Sequence, residues 1–238
     1  MHVSKRSYFE TARYIKSKEQ EGNIAQEVSS KLVEKPDYVP FDELLIQRLN
    51  NEALDSARAM TYYNGRRIVE SSVKHFSLGY SSNRDMVTIP VHSPDGIAVG
   101  FVGRSVEGKE FKNTPKLPKS KVLFNLHRVK NSSKVYVVES SFDAIRLHQV
   151  GMPAVATLGA NVSNIQVDLL RKYFNNIFVI ADNDEAGGNM KERIVEKLGS
   201  RVSVITIDNK YKDIGEMEDE AISSLEFSFD KSIAAMLS

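Results

Sequence analysis

The chain reads as an α/β protein: a doubly wound parallel sheet in its second half, preceded by a smaller basic α+β subdomain and an N-terminal helical segment. Three observations predict this. From Lys134 onward, short apolar runs alternate with stretches of helical spacing, as in repeated βαβ units. Upstream, the runs Met86–Val91 and Ile97–Val102 flank Ser93-Pro94-Asp95-Gly96, a turn signal that makes them a hairpin. Charge divides along the same line: residues 1–130 hold 21 Lys/Arg against 15 Asp/Glu, a net of +6, and residues 131–238 hold 11 against 16, a net of −5.

Taken in order, Tyr8 to Val33 has helical spacing but is too polar to be a core by itself, and Pro36 and Pro40 break the chain after it. A second helix runs from Phe41 to about Thr61, with Leu44, Leu45, Leu49, Ala53, Leu54 and Ala57 on its apolar face. Gly65 to Ile68 reads as a turn and Val69 to Phe76 as a short helix, after which the hairpin follows. The stretch Arg104 to Lys130 is basic, and Pro115 and Pro118 make it irregular. Strands are then expected at Val135–Glu139, Ala154–Thr157, Ile177–Asp182 and Val202–Ile207, with helices near Phe142–Val150, Ile165–Phe174 and Gly188–Leu198 between them. The tail after Ala221 reads as a terminal helix. This divides the chain into a helical or linker segment (1–40), a basic α+β subdomain (41–131), the parallel-sheet domain (132–215) and a tail (216–238).

With 41% hydrophobic residues, 238 residues bury a substantial core. The absence of cysteine excludes disulfides and a zinc ribbon. The five histidines lack metal-ligand spacing and read as surface or packing residues. No apolar run approaches the roughly 20 residues that span a bilayer, and no signal core follows Met1, so a soluble, cytoplasmic protein is expected without a membrane partner. The uneven charge suggests a basic surface for a polyanion beside an acidic metal site.

That acidic site is where the apolar runs end. Val135–Val138 leads into Glu139, with Asp143 following; Ile177–Ala181 leads into Asp182-Asn183-Asp184. In an open α/β sheet the ligand lies beyond the carboxyl ends of the strands, so Glu139, Asp182 and Asp184 are expected to meet there. Converging carboxylates repel unless a cation neutralises them, and all-oxygen ligands favour Mg²⁺ or Mn²⁺. An EF-hand is excluded: its sixth loop position would be Gly187, but the twelfth is Arg193 where a Glu is required. A phosphatase-type Asp-x-Asp lacks its expected partners. Helix capping accounts for Asp184 alone, but not for Glu139 and Asp213 as well.

Glu139-Ser140-Ser141-Phe142-Asp143 with Asp182-Asn183-Asp184-Glu185-Ala186-Gly187, the intervening Gly151–Gly159 and the later Lys212-Asp213 resemble the Toprim domain. Upstream, Ser72–Tyr80, Thr88–Val91, Val99–Arg104, Phe111–Pro115 and Lys119–Leu126 resemble the catalytic core of bacterial DnaG-type and phage primases. The resemblance implies short RNA primers made on a single-stranded DNA template from nucleoside triphosphates. It implies Glu139, Asp182 and Asp184 as catalytic, with Asp143 and Asp213 joining them as Mg²⁺ or Mn²⁺ ligands and no zinc. Arg104, Lys112, Asn113, Lys119 and Lys212 are expected to bind nucleotide or template. A replicative helicase or a separate zinc-ribbon subunit is the implied partner, in a bacterial cell or phage-infected host. Three departures stand out, the most consequential being the missing zinc ribbon that many relatives use to recognise template. Ser140 replaces the family's usual Gly, and Glu110 replaces a usual Lys, which Lys109 or Lys112 would substitute. A Toprim nuclease, or a catalytically altered primase-like subunit that binds single-stranded DNA, remains as an alternative.

Overall fold

In the computed structural model, which describes residues 38–108, 110–183 and 185–225, the Asp42 carboxylate accepts hydrogen bonds from the Leu44 and Leu45 amides and so starts helix α1 (Glu43–Asp55). These residues belong to the unit that begins at Tyr38. The helix expected over Tyr8–Val33, together with Lys109, Asp184 and the tail beyond residue 225, lies outside the described residues. The single helix expected from Phe41 to Thr61 is two. Ser56 is extended, ends α1, and caps α2 (Ala57–Gly65) by accepting from the Ala59 amide. A serine hydroxyl competes for backbone amides, which is why the apolar spacing alone overran this break. Helix α3 (Glu70–His75) follows.

Strands β1 (Gly79–Ser81), β2 (Met86–His92) and β3 (Ala98–Ser105) form an antiparallel sheet in chain order, with Thr88 opposite Gly103 and the expected turn closing β2 on β3. The three-residue β1 is too short to show periodicity in the sequence. Beyond β3, backbone bonds between Ser105 and Glu110, Gly103 and Lys112, and Phe101 and Thr114 lay residues 110–114 along the outer edge of this sheet. Gly103 allows the approach: a Cβ there would stand 2.5 Å from the Lys112 carbonyl oxygen.

The second half forms a parallel sheet, β5-β4-β6-β7, from β4 (Lys134–Val138), β5 (Ala154–Ala156), β6 (Asn176–Ile180) and β7 (Val202–Ile205). Side-chain alternation sorts its two faces. Tyr136, Val138 and Ile180 join one core with helix α5 (Ser141–Gln149) and the antiparallel half; Val135, Val137, Ile177 and Val179 join the other with α6 (Asn164–Tyr173) and α7 (Glu185–Leu198). Helices on both faces make the doubly wound α/β fold expected. Between the halves, a short helix α4 (Leu126–Val129) follows Phe124, which exchanges backbone hydrogen bonds with Ala156 and extends the sheet past β5. Among the described residues no helix is long and apolar enough to cross a membrane.

Candidate active site

The chain leaves β4 toward β5 on one side and leaves β6 toward β7 on the other, so the order β5-β4-β6-β7 has its switch point between β4 and β6. Val137 pairs with Val179, which puts Glu139 and Asp182 at adjacent strand ends on either side of that crevice. Asn183 fastens the β6 end. Its amide donates to the Lys212 carbonyl at 2.9 Å and its side chain to the Tyr211 carbonyl at 2.9 Å, drawing residues 207–213 to the site. Gly187 lies so close beneath that a Cβ would stand 2.5 Å from the Asp182 carbonyl oxygen.

Ser140 shows what replaces the usual glycine. Its backbone is extended (φ −102°), a conformation open to any residue. Its hydroxyl caps α5, accepting from the Asp143 amide at 3.2 Å and donating to Asp143 Oδ2 at 2.5 Å. Asp143 is only 4% exposed. Burial, with the like charge of Asp213, lifts its carboxyl to about 6, against the lowering effect of Ser140, the Gly215 amide and Arg66. A Cβ on Gly215 would lie 3.1 Å from Asp213 Oδ1 and 3.4 Å from Asp143 Oδ1, so the two carboxylates straddle one backbone position.

Asp143 and Asp213 thus stand together, whereas Glu139 lines one cleft and Asp182, with Asn183 and Lys191, lines another. Among the described residues no three His, Asp or Glu converge closely enough to enclose an ion. Buried Asp143 and half-buried Asp213 are the donor set that fits a hard divalent cation: all oxygen, close together, and costly to leave as two anions.

Facing Glu139 and Ser140 across a cleft of about 240 Å³ are Phe111, Asn113 and Lys119. Lys119 Nζ lies over Gly159, 3.8 Å from where a Cβ would stand. Leu158, at the cleft floor, has φ 61°, a strained conformation for a bulky residue, of the kind that gathers at functional sites. Arg104 packs its guanidinium 4.9 Å from the centroid of Phe111, which is 60% exposed.

Lys112 does not join Asn113 in this cleft. Residues alternate sides along the 110–114 edge, so Phe111 and Asn113 face Glu139 while Lys112 faces away. It lines a second cleft of about 250 Å³ with Arg48 and Arg84, and pairs with Glu110 at 3.6 Å. Lys212 is exposed and meets the site through its backbone, its carbonyl holding Asn183 and its amide donating to Glu216.

Sequence reasoning missed two residues. Gln166, fully buried, donates from its amide nitrogen toward the carbonyls of Lys119, Val122 and Thr157, and accepts from the Ser163 amide. It pins the Lys119 turn to the parallel sheet; only its place in a Ser-x-x-Gln capping box was visible beforehand. Phe111, an aromatic side chain left exposed beside a cation, is the other.

Residues 136–217 match a Toprim-like family model. The DNA primase of Mycoplasma genitalium is 30% identical over 155 residues, covering 60% of this chain and 26% of that protein. The same organism's uncharacterized protein MG010 is 35% identical over 146 residues, covering 57% of this chain and 67% of that one. A solved DnaG catalytic core superposes with a TM-score of 0.66 at 20% identity, covering 78% of each chain. The chain belongs to the Toprim-containing primase cores. The primase-core fold accounts for both halves of the site, because the Toprim-like match covers Glu139 through Asp213 while the structural match extends beyond it. The chain spans about a quarter or less of the length of the curated primases it matches.

Proposed function

We propose that this primase core synthesises short RNA primers on single-stranded DNA by divalent-metal-dependent nucleotidyl transfer. The observation that carries the reading is the shared cleft, in which Lys119, Asn113 and Phe111 from the basic half face Glu139 and Ser140 from the Toprim half. Homologous primases, and a DnaG catalytic domain solved with single-stranded DNA, support the substrate.

In the reaction a 3′-hydroxyl oxygen attacks the α-phosphorus of a triphosphate, the bond to pyrophosphate breaks, and the hydroxyl proton passes to a carboxylate or to water. Asp143 and Asp213 would hold one cation, with Glu139, Asp182 and Asp184 contributing at the strand ends. Mg²⁺ or Mn²⁺ there would supply Lewis-acid activation and charge neutralisation. Lys119 binds the triphosphate, and Asn113 orients it. Phe111 offers its exposed ring to a base, an interaction that tolerates any sequence. Arg48, Arg84 and Lys112, in the second cleft, bind template phosphates rather than the reacting nucleotide. In this reading residues 41–131 handle template and nucleotide, and 132–215 the metal.

Incubation with single-stranded template, four ribonucleotides and Mg²⁺ or Mn²⁺ is expected to yield short RNA, and Glu139→Gln or Asp182→Asn to lower the yield by roughly 10²–10³-fold. Equal product from the variants would overturn the assignment. Nicking of plasmid DNA without RNA synthesis would instead make this a Toprim nuclease.

A further inference from the structure

The turn that carries Asp213 comes from far along the chain, and two arginines hold it. Arg146 on α5 is the largest of the fully buried side chains, 1% exposed. A guanidinium so deeply placed is tolerated only when paired; here both terminal nitrogens have partners, and Nε has none. Its Nη1 donates to the Arg67 carbonyl at 3.2 Å and to Asp219 Oδ1 at 2.5 Å, and its Nη2 to the Met217 carbonyl at 2.7 Å. Arg67, in the left-handed region at φ 57°, reaches from the other side. Its guanidinium donates to the carbonyls of Gly215 at 3.4 Å and Glu216 at 3.3 Å and pairs with Glu218 at 2.5 Å.

What these arginines hold is the short turn Ile214–Glu216, capped by Asp213 itself through its carboxylate and the Glu216 amide. Gly215 in this turn lies against Asp143, where a Cβ would stand 3.4 Å from Asp143 Oδ1. The apolar anchors Ile214, Met217 and Ile222 bury the segment but lack direction, whereas a planar guanidinium fork fixes register. Beside the clasp lies a cleft of about 360 Å³ lined by Arg67, Ile68, Val69, Arg146, Glu218 and Asp219.

We infer that Arg146 is a positioning residue: paired with Asp219, it docks residues 213–219 so that Asp213 and Gly215 meet Asp143, completing the Asp143–Asp213 half of the proposed ion site. The inference rests on the metal-dependent reading above. Arg146 touches none of the reacting atoms and acts through the turn alone.

Mn²⁺ titration of the full chain, followed by the electron paramagnetic resonance signal of free Mn²⁺, tests it below the melting temperature. Asp219 is 55% exposed on its side chain, so Asp219→Asn can be expected to fold even where a substitution of Arg146 does not. Asp219→Asn should weaken Mn²⁺ binding about tenfold, the usual scale for a residue that orients a ligand, and raise hydrogen exchange at residues 213–217. Asp219→Glu, which keeps the carboxylate, should restore affinity. Faster exchange with unchanged Mn²⁺ affinity would overturn the positioning role while leaving the metal reading intact. Wild type that binds no Mn²⁺, or binds it equally after Asp143→Asn, would sink the metal reading and the inference with it.

Discussion

The two clefts on either side of residues 110–114 share that edge strand but little chemistry. One sets Phe111, Asn113 and Lys119 against Glu139 at the parallel-sheet switch point; the other gathers Arg48, Arg84 and Lys112 with no carboxylate lining it. A single step along the backbone decides which cleft a side chain serves. The mixed-charge cleft suits bond making on a phosphate, and the cationic one suits holding a polyanion whose chemistry happens elsewhere.

The sharpest way to break this contrast is to remove an acid. Glu139→Gln should lower nucleotide incorporation roughly 10²–10³-fold, while Lys112→Ala should change it less than about threefold at low salt. Similar losses from both would erase the distinction. Lys119→Ala is expected to raise the KM for ribonucleotides on the order of tenfold, measured in steady state, without altering the salt dependence of template binding.

Gln166→Leu tests whether the Lys119 turn is held from within. Stranding buried carbonyls should cost about 2–3 kcal/mol in urea denaturation and raise the ribonucleotide KM in the same direction as Lys119→Ala. Arg84→Ala combined with Lys112→Ala should reduce the slope of log K against log salt for single-stranded DNA by about 1.4, from two lost phosphate contacts; an unchanged slope would remove the second cleft from the template path.

The smallest effect concerns the seam between the end of β2 and helix α4. His92 and His127 lie with ring centroids 4.5 Å apart, and burial, reinforced by the positive charge of Arg128, pushes them down to about 4 and about 3. The unfolded chain takes up protons near pH 6.5 that the folded chain refuses, so this contribution is intact above about pH 6.5 and is lost as pH falls toward 4. Urea midpoints at pH 7.5 and 5.5 should therefore diverge more in wild type than in His127→Gln.

The parallel half was legible because its strands are continuous apolar runs that stop at acids; Val135–Val138 and Ile177–Ile180 announce both their burial and the residues beyond them. The basic half was less so. Arg104 to Lys130 has no apolar period, since the 110–114 edge is mostly exposed and polar, and without a strand assignment the opposite facing of Lys112 and Asn113 was hidden. Ser56 broke a helix that the apolar spacing continued. The partners of Arg146 were beyond reach for another reason: carbonyl oxygens leave no mark in a sequence.

The clasp around Asp213 also bears on when the site comes into being. Arg146 and Asp219 are 73 residues apart in the chain, and Arg67 and Glu218 are 151 apart. Contacts of such separation carry a large loop-closure cost and form only once the intervening sheet has assembled. In refolding followed by pulsed hydrogen exchange, amides of β4 and β6 should gain protection before those of residues 214–217. A chain nicked between β7 and that turn should keep a folded sheet and lose the ion site.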